Sequence, residues 1–122
     1  MGTPSSNPNA CNNTSISGFT SASICPSGWR LPTSGTSGEF TYLNNVVNSG
    51  STSSPAGLLS NWLGVYSGAY TSGLAGQGTW GNYWSSTVVG VTNANALLFR
   101  ASNVGTATSY VKYYGYAVRC VQ

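Results

Sequence analysis

Apolar residues follow different rhythms in the two halves of the chain. In "TSGEFTYLNNVVNSG" (36–50), Phe40, Leu43, Val46 and Val47 recur at the spacing of one helical face. Thr36 with Glu39 three residues on reads as a capping box, and Asn48-Ser49-Gly50 supplies a stop. The negative charge of Glu39 then falls in the first turn, where it suits the helix dipole. A second helix is predicted in "SSPAGLLSNWLG". Ser54 would cap it, Pro55 would take the first helical position, and Leu58, Leu59, Trp62 and Leu63 would form its buried face. Past Gly64 the pattern changes to short strands separated by glycine turns: "VYSGAY", "GTWGNYWSST", "ANALLFRAS" and "SYVKYYGYAVRCVQ". The last of these alternates around Tyr114, Tyr116, Val118 and Cys120, with Arg119 on the opposite face. Two helices followed by antiparallel strands predict an α+β domain.

Upstream of the helices, residues 1–23 are rich in Ser, Thr, Asn, Gly and Pro, with Ile16 and Phe19 as apolar anchors, and are expected to form an irregular leader. "ICPSGWRLPT" follows, with a turn at Pro26-Ser27-Gly28 and a short strand from Trp29 to Leu31 stopped by Pro32. Residues 24–122 are expected to form a single domain, with no internal repeat.

Composition narrows the chemistry. The chain of 122 residues holds one acidic residue, Glu39, four basic ones, Arg30, Arg100, Lys112 and Arg119, and no histidine. General acid–base catalysis draws on His, Asp or Glu with shifted pKa values, and paired-carboxylate hydrolysis needs two acids. An enzyme is therefore not expected. Calcium sites need several oxygen ligands, mostly carboxylates, and zinc needs clustered Cys or His, so no metal or other cofactor is implied. The net charge of +3 comes from dispersed cations, which argues against nucleic acid as a partner. No apolar run approaches the roughly 20 residues of a membrane span, so this segment is not expected to insert into a membrane.

Charged residues make up only 4% of the chain, yet 40% is hydrophobic, with four Trp and eight Tyr, and that balance argues against disorder. Solubility must come from Ser, Thr, Asn and Gly, as in secreted or cell-surface domains. Three cysteines in a small, charge-poor chain predict one disulfide and a leftover thiol in an oxidising compartment; three buried thiols in a cytosolic protein is the alternative. Asn12-Asn13-Thr14-Ser15 contains overlapping glycosylation sequons.

The blocks "CPSGWRLPT", "GEF..L", "YWSST", "A..L.F" and "KYYGYAVRCV", in that order, resemble the Fibrobacter succinogenes major paralogous domain. The resemblance spans Cys25 to Val121. It implies a C-type-lectin-like fold, with two helices packed on short antiparallel β-sheets and much irregular loop, of the kind found on bacterial and archaeal surface proteins and in pilin-like chains. The same fold is similar to the variable proteins of diversity-generating retroelements, in which randomised adenines near the C-terminus vary an exposed face on a fixed scaffold. Randomised AAY codons never encode Lys, Glu, Gln, Trp or Met, and Val88 to Tyr110 contains none of those five. The Glu-Pro-Asn and Trp-Asn-Asp motifs of calcium-dependent lectins are absent, so calcium-dependent sugar binding is not implied.

Within the matched blocks, Trp29, Trp84, Leu97, Phe99 and Val118 are expected in the core, and Arg30 and Arg119 are expected to hydrogen-bond carbonyls as scaffold cations. Ser85, Ser86 and Thr87 have no histidine or available acid to activate them and are expected to satisfy backbone groups at a turn. The blocks pair Cys25 with Cys120 and leave Cys11 over; a Cys11–Cys25 loop is the alternative. With Ala94, Leu97 and Phe99 pointing inward, Asn93, Asn95, Ala96, Leu98, Arg100 and Ser102 become the expected exposed set, bordered by Trp80, Asn82, Tyr83, Tyr110, Tyr113 and Tyr114. Such a surface has the composition of an antibody paratope, rigid aromatic anchors among adaptable hydrogen bonders. The expected function is a calcium-independent ligand-binding display domain of a surface protein, diversified by a retroelement, that recognises a protein or glycan on another cell or surface. The alternative is a structural pilin-like or surface-layer subunit with no dedicated ligand.

Overall fold

The computed structural model describes residues 24–122. Helix α1 spans Glu39–Asn48 and α2 Ala56–Ser60; strands β1 (Ala69–Tyr70), β2 (Leu74–Ala75), β3 (Gly81–Val89), β4 (Asn93–Arg100) and β5 (Asn103–Val111) follow. β1 and β2 form a small antiparallel sheet, and β3, β4 and β5 form a second one in that order. The architecture is α+β, with two small helices and two antiparallel sheets. The leader, with Cys11, Ile16, Phe19 and the Asn12 and Asn13 sequons, lies outside the described residues.

Thr33, rather than Thr36, organises the start of α1. Gly38 occupies the cap position and offers no side chain. Thr33 Oγ1 instead accepts the Glu39 amide at 3.1 Å, while the Glu39 carboxylate accepts the Thr33 amide at 2.8 Å. This is the reciprocal logic of a capping box, stretched across a glycine-rich turn. Along α1 the buried positions are Phe40, Asn44 and Asn48, four residues apart. Leu43 and Val47 pack partly against the core, but Val46 is 64% exposed, a correction to the expected apolar face. The two asparagines take its place because they tie the helices together. Asn48 Nδ2 donates to Asn44 Oδ1 at 2.9 Å and to the Ser54 carbonyl at 2.7 Å, and Asn48 Oδ1 accepts the Gly57 amide at 2.8 Å. Gly57 lies against the Val47 carbonyl, leaving no room for a side chain. Pro55, not Ser54, is the cap of α2, which begins one residue later than expected. Leu58 is fully buried, whereas Leu63 lies past the helix end in a left-handed conformation and is exposed.

β4 is the middle strand of its sheet, and both of its faces are covered. On the helix side, Tyr83, Leu97, Phe99 and Val104 pack with Phe40 and Leu58. On the other side, Trp84, Ala94 and Ala96 pack with Leu31 and Cys25, flanked by Tyr110, Tyr114, Tyr116, Val118 and Cys120. Trp29, expected in the core, is half-exposed, because the buried anchor of its segment is its near neighbour Leu31. The regular ladder between β3 and β4 is interrupted between Trp84 and Val88. There Ser85 Oγ donates to the Asn95 carbonyl at 2.7 Å, and Thr87 Oγ1 bridges the Ser34 amide and carbonyl at 2.8 and 3.1 Å. These hydroxyls satisfy backbone groups, at a bulge rather than a turn.

The expected final strand is not one. Its beginning belongs to β5, and residues 112–122 are irregular, touching the sheets through isolated bridges at Tyr70–Gly115, Tyr83–Ala117 and Arg30–Val121. The Trp84 amide donates to the Ala117 carbonyl and the Ala117 amide to the Asn82 carbonyl, each at 3.0 Å, so this segment covers the outer edge of β3. A disulfide between Cys25 and Cys120 joins the two ends of the described chain.

Candidate functional site

Strand register decides which expected site residues can meet. Asn82 pairs with Leu98 and Trp84 with Ala96, and Trp80 and Arg100 extend the same ladder by one step. Trp80, Asn82, Ala96, Leu98 and Arg100 therefore lie on one sheet face, as side-chain alternation requires. Most of that face is covered. Ala96 is fully buried, Asn82 is 2% and Leu98 8% exposed, so the expected exposure of Ala96 and Leu98 is corrected. Ala96 is covered by the aromatic C-terminal segment. Tyr83 points to the opposite face, into the core, where its hydroxyl bonds the Val65 backbone. Asn95, also expected outside, is buried on a strand enclosed on both faces. Asn93 sits at the far end of β4 from Arg100 and donates to Ser109 Oγ at 3.2 Å. Ser102 is exposed in the turn between β4 and β5.

What the fold brings together is a cation and an aromatic cluster. The Arg100 guanidinium lies 4.4 Å over the Trp80 ring. Tyr116 stacks on Trp84 at 4.7 Å, Tyr110 meets Tyr116 edge-on at 5.3 Å, and Tyr113 meets Tyr114 edge-on at 5.3 Å. The Trp84 indole donates to the Tyr114 carbonyl at 3.2 Å and fixes the segment that carries them. Burial pushes the Tyr116 hydroxyl well above the ordinary phenol range, the Tyr110 and Tyr114 phenols add to this, and Arg100 pulls the other way. Among the described residues, none of the hydroxyls of Tyr110, Tyr113, Tyr114 and Tyr116 is hydrogen-bonded. Arg100 Nε is buried and also has no partner among them.

No protein-family model, curated protein or solved structure matches this chain.

The other cations are all engaged. Arg30 forms a two-pronged pair with Glu39, and Arg119 Nη1 donates to the Trp62 carbonyl at 2.6 Å while its guanidinium lies 4.5 Å over the Trp62 ring. Lys112, absent from the sequence-derived site, is buried and donates to the Val91 carbonyl at 3.0 Å, holding the turn between β3 and β4. Tyr116 is the member of the cluster that sequence reasoning left in the scaffold. Its signal was the alternation itself, which puts Tyr114 and Tyr116 on one side of the segment. An apolar groove of about 240 Å³ lies along α1 between Tyr42, Val46, Trp62 and Val121 and contains none of the expected site residues.

Proposed function

We propose that this chain is a calcium-independent ligand-binding display domain of an extracellular or cell-surface protein, built on a C-type-lectin-like scaffold and diversified by a retroelement. One observation carries the reading: Arg100 and the phenols of Tyr110, Tyr113, Tyr114 and Tyr116 gather on one face with no hydrogen-bond partner among the described residues. A protein that buries so much of its polar inventory in satisfied bonds leaves these groups for something external. Tyrosines supply large, stiff contact area at low entropic cost, as in antibody paratopes. Glu39, the chain's lone acidic side chain, is committed to Arg30 and Thr33, which supports recognition without calcium. The Cys25–Cys120 disulfide fits an oxidising compartment, and no helix among the described residues is long and apolar enough to cross a membrane.

The burial of Asn82, Tyr83, Asn95, Ala96 and Leu98 narrows the displayed set to Trp80, Asn93, Arg100, Ser102, Tyr110, Tyr113 and Tyr114, with Tyr116 added. Binding to arrayed glycans and peptides in the presence of a chelator tests the reading. Capture that survives chelation and weakens at least tenfold on Tyr113→Ser or Tyr114→Ser supports it. No capture, or capture indifferent to both substitutions, overturns it. For the diversified version, sister alleles should vary at the displayed positions and a template copy should lie beside the gene. The structural-subunit alternative draws on the apolar groove beside α1, where Tyr42 and Val46 are exposed. It predicts self-association that Val46→Asp abolishes while the tyrosine substitutions leave it intact.

A further inference from the structure

We propose that Arg100 receives a carboxylate group of the ligand, an inference that rests on the display reading and gives the ligand a chemistry. Among the described residues, Arg100 Nε is the buried side-chain nitrogen or oxygen left without a hydrogen bond. A buried donor on a charged group is costly to leave unpaired, and the described residues supply no acceptor for it. The chain has one acidic side chain, and Arg30 already holds it from both prongs. On this proposal the acceptor comes from the ligand, whose entry shifts the atoms that cover Nε.

Geometry narrows the acceptor further. Trp80 lies 4.4 Å under the guanidinium and restrains it. The Nε–H and an Nη–H on one edge of a guanidinium form a fork that matches two coplanar oxygens. The half-buried Tyr116 phenol lies close enough to feel the Arg100 charge. Asn82 and Leu98, the next pair along the ladder from Trp80 and Arg100, are buried and carry no negative charge to compete.

The test is the Arg100 Nε–H resonance of the intact chain, assigned by its loss in Arg100→Lys. Titration with glucuronate and with N-acetylaspartate separates a sugar acid from a peptide-type acid; glucose, N-acetylasparagine and inorganic phosphate are the comparisons. The expected result is a saturable downfield shift of Nε–H with at least one carboxylate, a concerted shift of the Trp80 indole, no response to the neutral analogues, and at least tenfold weaker binding to Arg100→Lys. Arg100→Lys keeps the charge and loses the fork, and its amide spectrum elsewhere reports whether it folds. An unmoved Nε–H with both acids overturns the assignment. So does an equal response to glucose or N-acetylasparagine, a response to phosphate alone, or undiminished binding by Arg100→Lys. Array capture that depends on Tyr113 but leaves Nε–H unmoved removes the carboxylate and keeps the display reading. A carboxylate response without any array capture does the reverse.

Discussion

Glu39 holds Arg30 with both carboxylate oxygens, each at 2.6 Å, and its Oε2 also accepts the Thr33 amide at 2.8 Å. The Arg30 hydrogen bonds are the main reason the carboxyl titrates at about 2, below its ordinary 4.5, against the opposing effect of desolvation. A carboxylate whose pKa is lowered by folding stabilises the fold above its unfolded pKa, and this contribution is lost as pH falls through the folded value. Because the chain has no other Asp or Glu and no His, thermal stability should be level from roughly pH 5 to 8 and fall as pH drops from about 4.5 towards 2. The side chains are 44% and 41% exposed, so solvent screening holds the ion pair to about 1 kcal/mol or less. Glu39→Gln should start slightly lower and lose most of the acid slope. Melting curves of both proteins across this range decide it; an equal slope in Glu39→Gln would assign acid sensitivity elsewhere.

Reduction of the Cys25–Cys120 bond should have a larger effect. The bond closes a loop with a sequence separation of 95, for which the chain-entropy estimate is about 4–5 kcal/mol. Beside it, the Arg30 and Val121 backbones exchange hydrogen bonds of 2.8 and 2.7 Å, which reduction leaves in place. Urea unfolding with and without reductant, and of the Cys25→Ala/Cys120→Ala double variant, should show a loss of several kcal/mol. A loss below about 1 kcal/mol would mean that the unfolded chain is already compact enough to keep its ends together.

Both helices were legible in the sequence because glycine stops bracket their apolar spacing, and β3 and β4 because "YWSST" and "ALLF" are dense enough to declare a buried strand. β5 was not. In "NVGTATSYV" only Val104 is buried, so the strand is held by its ladder to β4 and carries almost no apolar pattern. The C-terminal segment failed in the opposite sense. Its alternation is real, but it reflects aromatic rings packing over a sheet face, and the backbone there makes only isolated bridges. For the site, the register puts Trp80, Asn82, Ala96, Leu98 and Arg100 on one face, together with Ala94, which the sequence pattern groups with Leu97 and Phe99. That this face has a lid of tyrosines depends on contacts between residues far apart in the chain, which a local pattern does not encode.

Two glycines separate packing from backbone freedom. Gly81 lies directly under the Phe99 ring, which a Cβ would strike. Gly73 has open space around its missing Cβ and no positive φ. Gly81→Ala should therefore cost about 1–3 kcal/mol through displacement of a fully buried ring. Gly73→Ala should be neutral or stabilise by up to about 1 kcal/mol, because it restricts the unfolded chain. Chemical denaturation measures both. Similar midpoints for the two variants would show that the core yields around Phe99.

Two arginines rest on tryptophans, and the difference between them makes the sharpest comparison. Arg119 lies 4.5 Å over Trp62 and donates to its carbonyl at 2.6 Å, while Trp62 packs edge-on against Tyr83 at 5.1 Å. Arg100 lies 4.4 Å over Trp80 with its Nε unpaired. Removing Arg119 forfeits a charged hydrogen bond and a ring contact, so Arg119→Ala should lose about 1–2 kcal/mol. Removing Arg100 forfeits a similar ring contact, worth about 0.5–1 kcal/mol, but also relieves a buried donor whose unpaired state costs about 1–3 kcal/mol. Arg100→Ala should thus stay within about 0.5 kcal/mol of the parent or exceed it. A residue whose deletion costs the fold nothing, yet which sits half-buried against an aromatic cluster, is retained for something other than stability. If Arg100→Ala unfolds more readily than Arg119→Ala, Arg100 belongs to the scaffold, and the displayed face must be sought among the tyrosines alone.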